Sequence, residues 1–169
     1  MRGEAERDYV EYVTARLPHL KRAAYLLCGD SARADDIVQA TVTKLYVHWR
    51  RASAAENLDG YVHRMLVRQF LDERSLKWSR VVLTDAPPDR ATDPAPDRVE
   101  DADAVRSLLR RLPPGQRAVL VLRFLCDMSI DDTAVVLRCS AGSVKAQTSR
   151  GLESLREFMG TTKTATERG

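Results

Sequence analysis

Apolar residues recur three and four positions apart along most of this chain, which is the period of an amphipathic α-helix and not the alternation of a strand. In the first half, such stripes occupy residues 9–27, 37–49 and 62–70, and Gly29 provides a stop after the first of them. Each stripe can leave water only by packing against the others. The pattern therefore predicts one helical bundle in residues 1–77.

The pattern changes after Trp78. Four of the seven prolines, interleaved with aspartates, lie in the segment that follows. Because proline removes backbone donors and like charges repel, residues 78–98 are predicted to form an extended linker. Helical periodicity then resumes and predicts a second bundle in residues 99–160, followed by a disordered tail, 161–169. The predicted fold class is all-α, with two small helical bundles joined by an extended, acidic, proline-rich linker.

The second bundle contains two helix starts in close succession. Ser129 followed by Asp132 is typical of a capping box, and Ser140 can cap the next helix. Counted at 100° per residue, the inner face of that helix holds Val144, Thr148, Leu152, Leu155 and Met159. The outer face holds Ser143, Ala146, Ser149 and Arg150, with Lys145 and Gln147 on its flanks. A short helix, a tight turn and a second helix with a small, polar and basic exposed face predict a helix-turn-helix that enters a DNA major groove.

Composition excludes several classes of protein. The net charge of +3 is too small to indicate nucleic-acid binding by itself. No apolar run is long enough to span a membrane, and the charged N-terminus does not look like a signal peptide, so we expect a cytoplasmic protein. Cys28, Cys126 and Cys139 lack CxxC spacing and are expected to be reduced, buried thiols. No catalytic pair, phosphate-binding loop or metal cluster is apparent, so we expect neither an enzyme nor a cofactor or metal.

Two parts of the sequence resemble one protein family. "LPPGQRAVLVLRFLCDMSIDDTAVVLRCSAGSVKAQTSRGLESLR" is similar to the C-terminal promoter-recognition domain of extracytoplasmic-function (ECF) sigma factors of the sigma-70 family. "YLLCGDSARADDIVQATVTKLYVHWRR", followed by "YVHRMLVRQFLDERS", is similar to their N-terminal domain, most closely in the actinobacterial SigE-like branch. The resemblance covers residues 6–158, in the expected order. It implies a sigma factor that binds core RNA polymerase, recognises the −10 and −35 promoter elements and opens the duplex.

The resemblance also implies partners and sites. The partners would be core RNA polymerase, mainly the β′ clamp but also β, promoter DNA in duplex and single-stranded form, and an anti-sigma factor. The implied polymerase-binding residues are Asp35, Asp36, Gln39, Lys44 and Trp49. The implied −10 residues are Asn57, Leu58, Asp59, Tyr61, Arg64, Arg68, Arg74 and Lys77. The implied −35 residues are Ser140, Ser143, Lys145, Ala146, Gln147, Ser149 and Arg150, with Arg117 as a further phosphate contact. The family commonly has glycine in the helix-turn-helix turn, where this chain has Arg138.

The residues alone leave alternatives open. Asp35 and Asp36 would also compensate a helix dipole, and the arginines of the third stripe would also suit a solvated helix face. The acidic linker could be a soluble tether and nothing more. A stand-alone helix-turn-helix regulator, dimerising through its N-terminal bundle, is the second functional hypothesis. The third is a small helical thiol- or metal-dependent enzyme that uses Cys28, Cys126 or Cys139 and a histidine.

Overall fold

The computed structural model describes the backbone of residues 2–72 and 100–166, and the side chains of residues 2–72 and 104–160. These two segments belong to separate compact units. Both consist of helices and connecting turns, and neither contains a strand, so the all-α prediction is confirmed. The predicted linker, 78–98, and the candidate DNA contacts Arg74 and Lys77 lie outside the described residues.

The N-terminal unit begins with two long helices. They are α1, Arg2–Cys28, and α2, Ser31–Val47, and they are followed by the short α3, Trp49–Ser53, and by α4, Leu58–Asp72. Helix α1 ends because Gly29 adopts the left-handed conformation, with φ 71°, which glycine reaches without steric cost. Asp30 then caps α2, since its carboxylate accepts hydrogen bonds from the backbone N–H groups of Ala32 and Arg33.

Helices α1, α2 and α4 share one apolar core. Leu20 of α1, Ile37 and Leu45 of α2, and Leu66 and Phe70 of α4 are each at most 1% exposed. The buried residues of α1 all lie in its C-terminal third, at Leu20 and at residues 23–28. The three predicted stripes therefore form the predicted bundle.

The C-terminal unit has four α-helices within the described residues. They are α5, Glu100–Arg110, α6, Pro114–Leu120, α7, Ile130–Leu137, and α8, Ala141–Thr166. A π-helical turn, Val121–Leu125, continues α6, and the N–H of Cys126 donates to the carbonyl of Val121 at 3.0 Å. Leu112, Leu122 and Val144 are 0% exposed and lie in the core of this unit.

Helix α8 is longer than the sequence pattern predicts. Its backbone continues to Thr166, so the expectation of a disordered tail from residue 161 is wrong for residues 161–166. Propagating an existing helix fixes one residue for each hydrogen bond gained, and residues 161–166 contain no proline to stop it. Residues 167–169 lie outside the described part of the chain.

A close approach between α6 and α8 depends on Gly151. A Cβ built on this residue would lie 3.0 Å from Cδ1 and 3.2 Å from Cγ of Leu120. Leu120 is only 4% exposed and has little room to move. Gly151 therefore allows the two helices to pack more closely than any other residue would.

Gly151→Ala is expected to lower the free energy of unfolding by about 1 kcal/mol, because overpacking at Leu120 outweighs the better helix propensity of alanine. The matched control is Gly160→Ala on the same helix, where a Cβ meets nothing within 4 Å. That change is expected to add about 0.5 kcal/mol. Urea unfolding of the two variants measures both effects, and a stabilised Gly151→Ala protein would contradict the packing argument.

Candidate nucleic-acid interface

The helix-turn-helix is built by two capping serines. The Ser129 hydroxyl accepts a hydrogen bond from the Asp132 N–H at 3.0 Å and begins α7. The Ser140 hydroxyl accepts from the Ser143 N–H, also at 3.0 Å, and begins α8. Both predicted helix starts are therefore confirmed, and the turn between α7 and α8 consists of three residues, 138–140.

The turn between α7 and α8 places Arg138 in the left-handed region, at φ 55° and ψ 45°. The N–H of Cys139 donates to the carbonyl of Ala134 at 3.0 Å, which closes the end of α7. A non-glycine residue in this conformation brings its Cβ too close to the following carbonyl oxygen. The turn thus keeps the backbone shape that suits glycine, at an energetic cost to this chain.

Arg138→Gly is expected to raise the free energy of unfolding by about 1 kcal/mol, because relief of left-handed strain exceeds the extra chain entropy of glycine. Arg138→Ala removes the same charge but keeps the Cβ, so it should give no comparable gain. Denaturant unfolding of the wild type and both variants measures the difference. Equal stability of the glycine and alanine variants would show that the turn is unstrained.

The N-terminal half of α8 presents the polar, basic surface that the sequence predicts. Lys145, Ala146, Ser149 and Arg150 are exposed, and Ser143 is half-buried beside the cap. Within this half of α8 there is no carboxylate before Glu153. Because DNA phosphates attract cations and repel carboxylates, this surface suits a duplex.

Two predicted DNA contacts are buried. Gln147 is 3% exposed and Arg117 is 4% exposed, so neither offers its side chain to a ligand at the surface. The placement of Gln147 on a flank is wrong because the inner face of α8 is centred on Val144, Gln147 and Gly151, where Gly151 allows α6 to approach. Met159 was assigned to the inner face by counting 100° per residue, but it is 55% exposed, so that assignment is wrong.

The predicted −10 residues surround the start of α4. The Asn57 side-chain oxygen accepts the Gly60 N–H at 3.0 Å and so caps this helix. Leu58 and Tyr61 are partly buried. Arg64 and Arg68 are exposed one turn apart farther along α4.

Asp59, in the first turn of α4, is bound to α1. Its Oδ1 accepts a hydrogen bond from the Tyr12 hydroxyl at 2.7 Å, and its Oδ2 pairs with the Arg16 guanidinium. Burial and the bond to Asp59 raise the pKa of Tyr12, so the hydroxyl remains a donor at neutral pH. Asp59 was predicted as a pocket residue, but in this structure its carboxylate oxygens have protein partners.

A histidine pair lies one turn farther along the same contact. The Nε2 atoms of His19 and His63 are 3.0 Å apart, and His63 is 8% exposed. Desolvation by burial, reinforced by the neighbouring His19, lowers the pKa of His63 to about 4. Sequence reasoning missed this pair, because the two residues are 44 positions apart and their contact arises only from helix packing.

The predicted polymerase-binding residues divide into two groups. Asp35, Asp36, Gln39 and Lys44 are exposed along α2. Trp49 is 9% exposed, and its ring contacts the ring of Tyr9 with centroids 5.5 Å apart, so it belongs to the packed interior and not to the exposed face. The prediction of Trp49 as an exposed contact is therefore wrong.

Sequence reasoning also missed two exposed apolar residues at the end of α2. Tyr46 is 55% exposed and Val47 is 71% exposed. The available signal was the run Leu45–Val47, since three consecutive apolar residues on a helix cannot all face one core. Together with the polar residues of α2, they give this helix a mixed apolar and charged outer face.

The three cysteines are poor nucleophiles. Burial raises the pKa of Cys126 to about 12 and also raises the pKa values of Cys28 and Cys139, so all three are protonated thiols at neutral pH. Among the residues that the structure describes, no three His, Cys, Asp or Glu side chains are grouped as metal ligands. None of the helices in the described ranges is long and apolar enough to cross a bilayer.

These features define the class of protein: two helical units, the second carrying a helix-turn-helix with a basic outer face. Comparison with known proteins refines that class. The model of sigma-70 region 2 matches residues 12–80, and the model of sigma-70 region 4 matches residues 102–155. Both matches fall on the parts of the chain whose sequence resembles the two sigma domains.

Similar proteins agree with these matches. The chain is 31% identical over 150 residues to the RNA polymerase sigma-E factor of Streptomyces avermitilis, covering 89% of this chain and 84% of that protein. It is also 31% identical over 150 residues to the sigma-E factor of Streptomyces coelicolor. The fold is similar to that of the sigma factor RpoE of Bartonella quintana, solved with the anti-sigma factor NepR, with a TM-score of 0.67, 23% identity and coverage of 91% of this chain and 98% of that one.

The chain belongs to the ECF sigma factors of the sigma-70 family. It is therefore an RNA polymerase sigma factor that directs promoter-specific transcription initiation. Proteins of this kind are initiation factors, and the polymerase carries out RNA synthesis.

Proposed function

We propose that the N-terminal half of α8 reads the −35 element as intact duplex. The supporting observation is the carboxylate-free outer face with exposed Lys145, Ala146, Ser149 and Arg150, preceded by the Ser140 cap. Arginine pairs with guanine through two hydrogen bonds, whereas lysine contacts phosphate as a point charge. Arg150 is assigned to base reading, and Lys145 and the first N–H groups of α8 to the backbone.

The start of α4 is assigned to the −10 element. A base that leaves the duplex needs a pocket, and the partly buried Leu58 and Tyr61 beside the exposed Asn57 offer an apolar wall with a polar rim. Arg64 and Arg68 are exposed on the same helix and are suited to the phosphates of the captured strand. Arg74 and Lys77 remain assigned to the same backbone from the sequence.

The outer face of α2 is assigned to core RNA polymerase, mainly the β′ clamp and also β. Asp35, Asp36, Gln39 and Lys44 supply charge along this face, and the exposed Tyr46 and Val47 supply apolar area at its end. Such a mixture is typical of a protein interface with an apolar centre and a polar rim.

An anti-sigma factor is a further proposed partner. The supporting observation is that two structures similar in fold, RpoE of Bartonella quintana and CnrH, were solved with NepR and with the cytosolic domain of CnrY. The protein is proposed to act in the cytoplasm, without a catalytic activity of its own and without a cofactor or metal.

The basic, carboxylate-free surface of α8 is the single observation that carries the promoter assignment. The test is run-off transcription with the purified chain, core polymerase lacking any other sigma factor, and a pool of genomic fragments. Discrete transcripts that disappear when the chain is omitted are expected. A chain that binds duplex DNA alone as a dimer, without binding core polymerase, would instead be a stand-alone regulator.

A further inference from the structure

The contact between α1 and α4 contains a row of polar side chains, which range from the exposed Arg16 to the buried His63. Tyr12, Arg16 and His19 occupy positions i, i+4 and i+7 of α1 and therefore share one face. Asp59 and His63 occupy positions i and i+4 of α4. We call these five residues the α1–α4 ladder.

Each contact in the α1–α4 ladder joins a side chain of α1 directly to a side chain of α4. Asp59 accepts from the Tyr12 hydroxyl at 2.7 Å and pairs with Arg16, while the Nε2 atoms of His19 and His63 lie at hydrogen-bond distance, 3.0 Å apart. The Arg16–Asp59 pair is part-exposed, with 44% and 37% of the two side chains accessible, so its contribution to global stability is small. A directional ion pair with little stabilising effect is better suited to fixing an orientation than to holding the fold together.

The tautomers of the histidine pair follow from burial. Nδ1 of His63 is buried and has no hydrogen-bond partner. An unpaired buried acceptor is less costly than an unpaired buried N–H, so the proton of His63 lies on Nε2 and is donated to Nε2 of His19. His19 then carries its own proton on Nδ1. The hydrogen bond between the two histidines therefore has its donor on α4 and its acceptor on α1.

The α1–α4 ladder is attached at the segment that the proposed function assigns to the −10 element. Asp59 lies between Leu58 and Tyr61, and the Asn57 cap lies immediately before them. Both carboxylate oxygens of Asp59 have partners on α1, so the residue faces its own protein and not a nucleotide.

We propose that Tyr12, Arg16 and His19 are positioning residues, which hold the 57–61 segment in the orientation that captures the unpaired strand. Asp59 is the anchor through which they act, and it does not contact DNA. This inference rests on the −10 assignment of the proposed function and gives α1, which carries no assigned contact, a role in promoter opening.

The test measures opening and polymerase binding separately. The rate of opening is measured by mixing the full chain and core polymerase with a recognised duplex promoter that carries a fluorescent base in the −10 element. Affinity for core polymerase is measured separately, by titrating the chain with core polymerase. Tyr12→Phe, Arg16→Gln and Asp59→Asn are each expected to slow opening roughly three- to ten-fold, the scale of one charge-assisted hydrogen bond. Core affinity should stay within about two-fold, because the α2 face is untouched.

The energetic coupling between Arg16 and Asp59 distinguishes a positioning role of Asp59 from direct contact with DNA. The double variant Arg16→Gln with Asp59→Asn should be no slower than the slower single variant, since both remove the same bond. If Asp59 contacted DNA directly, Asp59→Asn alone would slow opening while Arg16→Gln and Tyr12→Phe would not, and the inference would be overturned. Amide hydrogen exchange of the free Asp59→Asn chain should also rise at Gly60 and Tyr61 but not in α2.

Two control variants test whether slower opening comes from a change in net charge or in stability and not from the orientation of the 57–61 segment. Lys21→Gln removes one charge from an exposed position of α1 outside the ladder and should open promoters at the wild-type rate. Leu20→Val lowers the stability of the apolar core without changing any residue of the ladder. At 25 °C this variant should also open promoters at the wild-type rate. Failure of the wild type to open any promoter would remove the proposed function and this inference together, whereas normal opening by the ladder variants would remove only the inference.

Discussion

Arg150→Ala is expected to reduce transcription from a recognised promoter by about 10- to 100-fold, the effect of losing one bidentate arginine–guanine pair. Arg150 is exposed in the carboxylate-free half of α8, and its loss leaves the core contacts of the helix, centred on Val144, in place. Affinity for core polymerase should be unchanged. Run-off transcription measures the loss, and mutation of the −35 element should identify the base pair that the variant no longer distinguishes.

The matched control is Arg156→Ala. Arg156 is also an exposed arginine on the same helix, but it lies in the half that also carries Glu153 and Glu157. Its substitution makes the same change in net charge and should alter transcription by less than about two-fold at 0.15 M salt, where charges beyond a Debye length are screened. Equal losses from the two variants would indicate a general effect of charge and would refute base reading by Arg150.

Acidification is expected to destabilise the N-terminal unit through His63, by about 2 kcal/mol between pH 7 and pH 5. The pKa of His63 is lowered to about 4 in the folded chain, against about 6.5 for an unfolded histidine. Above pH 6.5 the residue is neutral in both states and contributes no pH dependence. Between pH 6.5 and pH 4 the unfolded chain binds a proton that the folded chain does not, so stability falls as pH falls.

His63→Met provides the comparison for this titration, because it fills a similar volume and cannot bind a proton. The charged groups that act on the histidine pair are Arg16 and Arg22 of α1 and Asp59 of α4, and all remain in this variant. Hydrogen exchange of the buried α4 amides at pH 7 and pH 5 reports the stability of this unit alone. The prediction fails if the wild type and the variant lose the same stability.

Local rules predicted much of this structure. Capping by Ser129 and Ser140 follows from the interaction of a hydroxyl with nearby N–H groups, so it could be predicted from a few residues. The helical stripes likewise depend on periodicity alone, and they identified the core positions Leu45, Leu66 and Phe70.

Relations between helices were harder to predict. The inner face of α8 was misplaced because its centre is set by the approach of α6 to Gly151, which buries Gln147 and leaves Met159 exposed. The partners of Asp59 and His63 come from α1, more than forty residues earlier. Single-helix periodicity carries no information about which residue of another helix lies opposite, so these contacts required the folded chain.

Helix α8 extends well beyond the surface that we assign to DNA. At 1.5 Å per residue, its end at Thr166 lies about 24 Å along the helix axis from Arg150. A fluorophore attached at residue 166 would therefore be separated from that surface by these turns of helix. This end of α8 is the natural attachment point for single-molecule measurements of initiation, since the label would report on the C-terminal unit without obstructing the DNA.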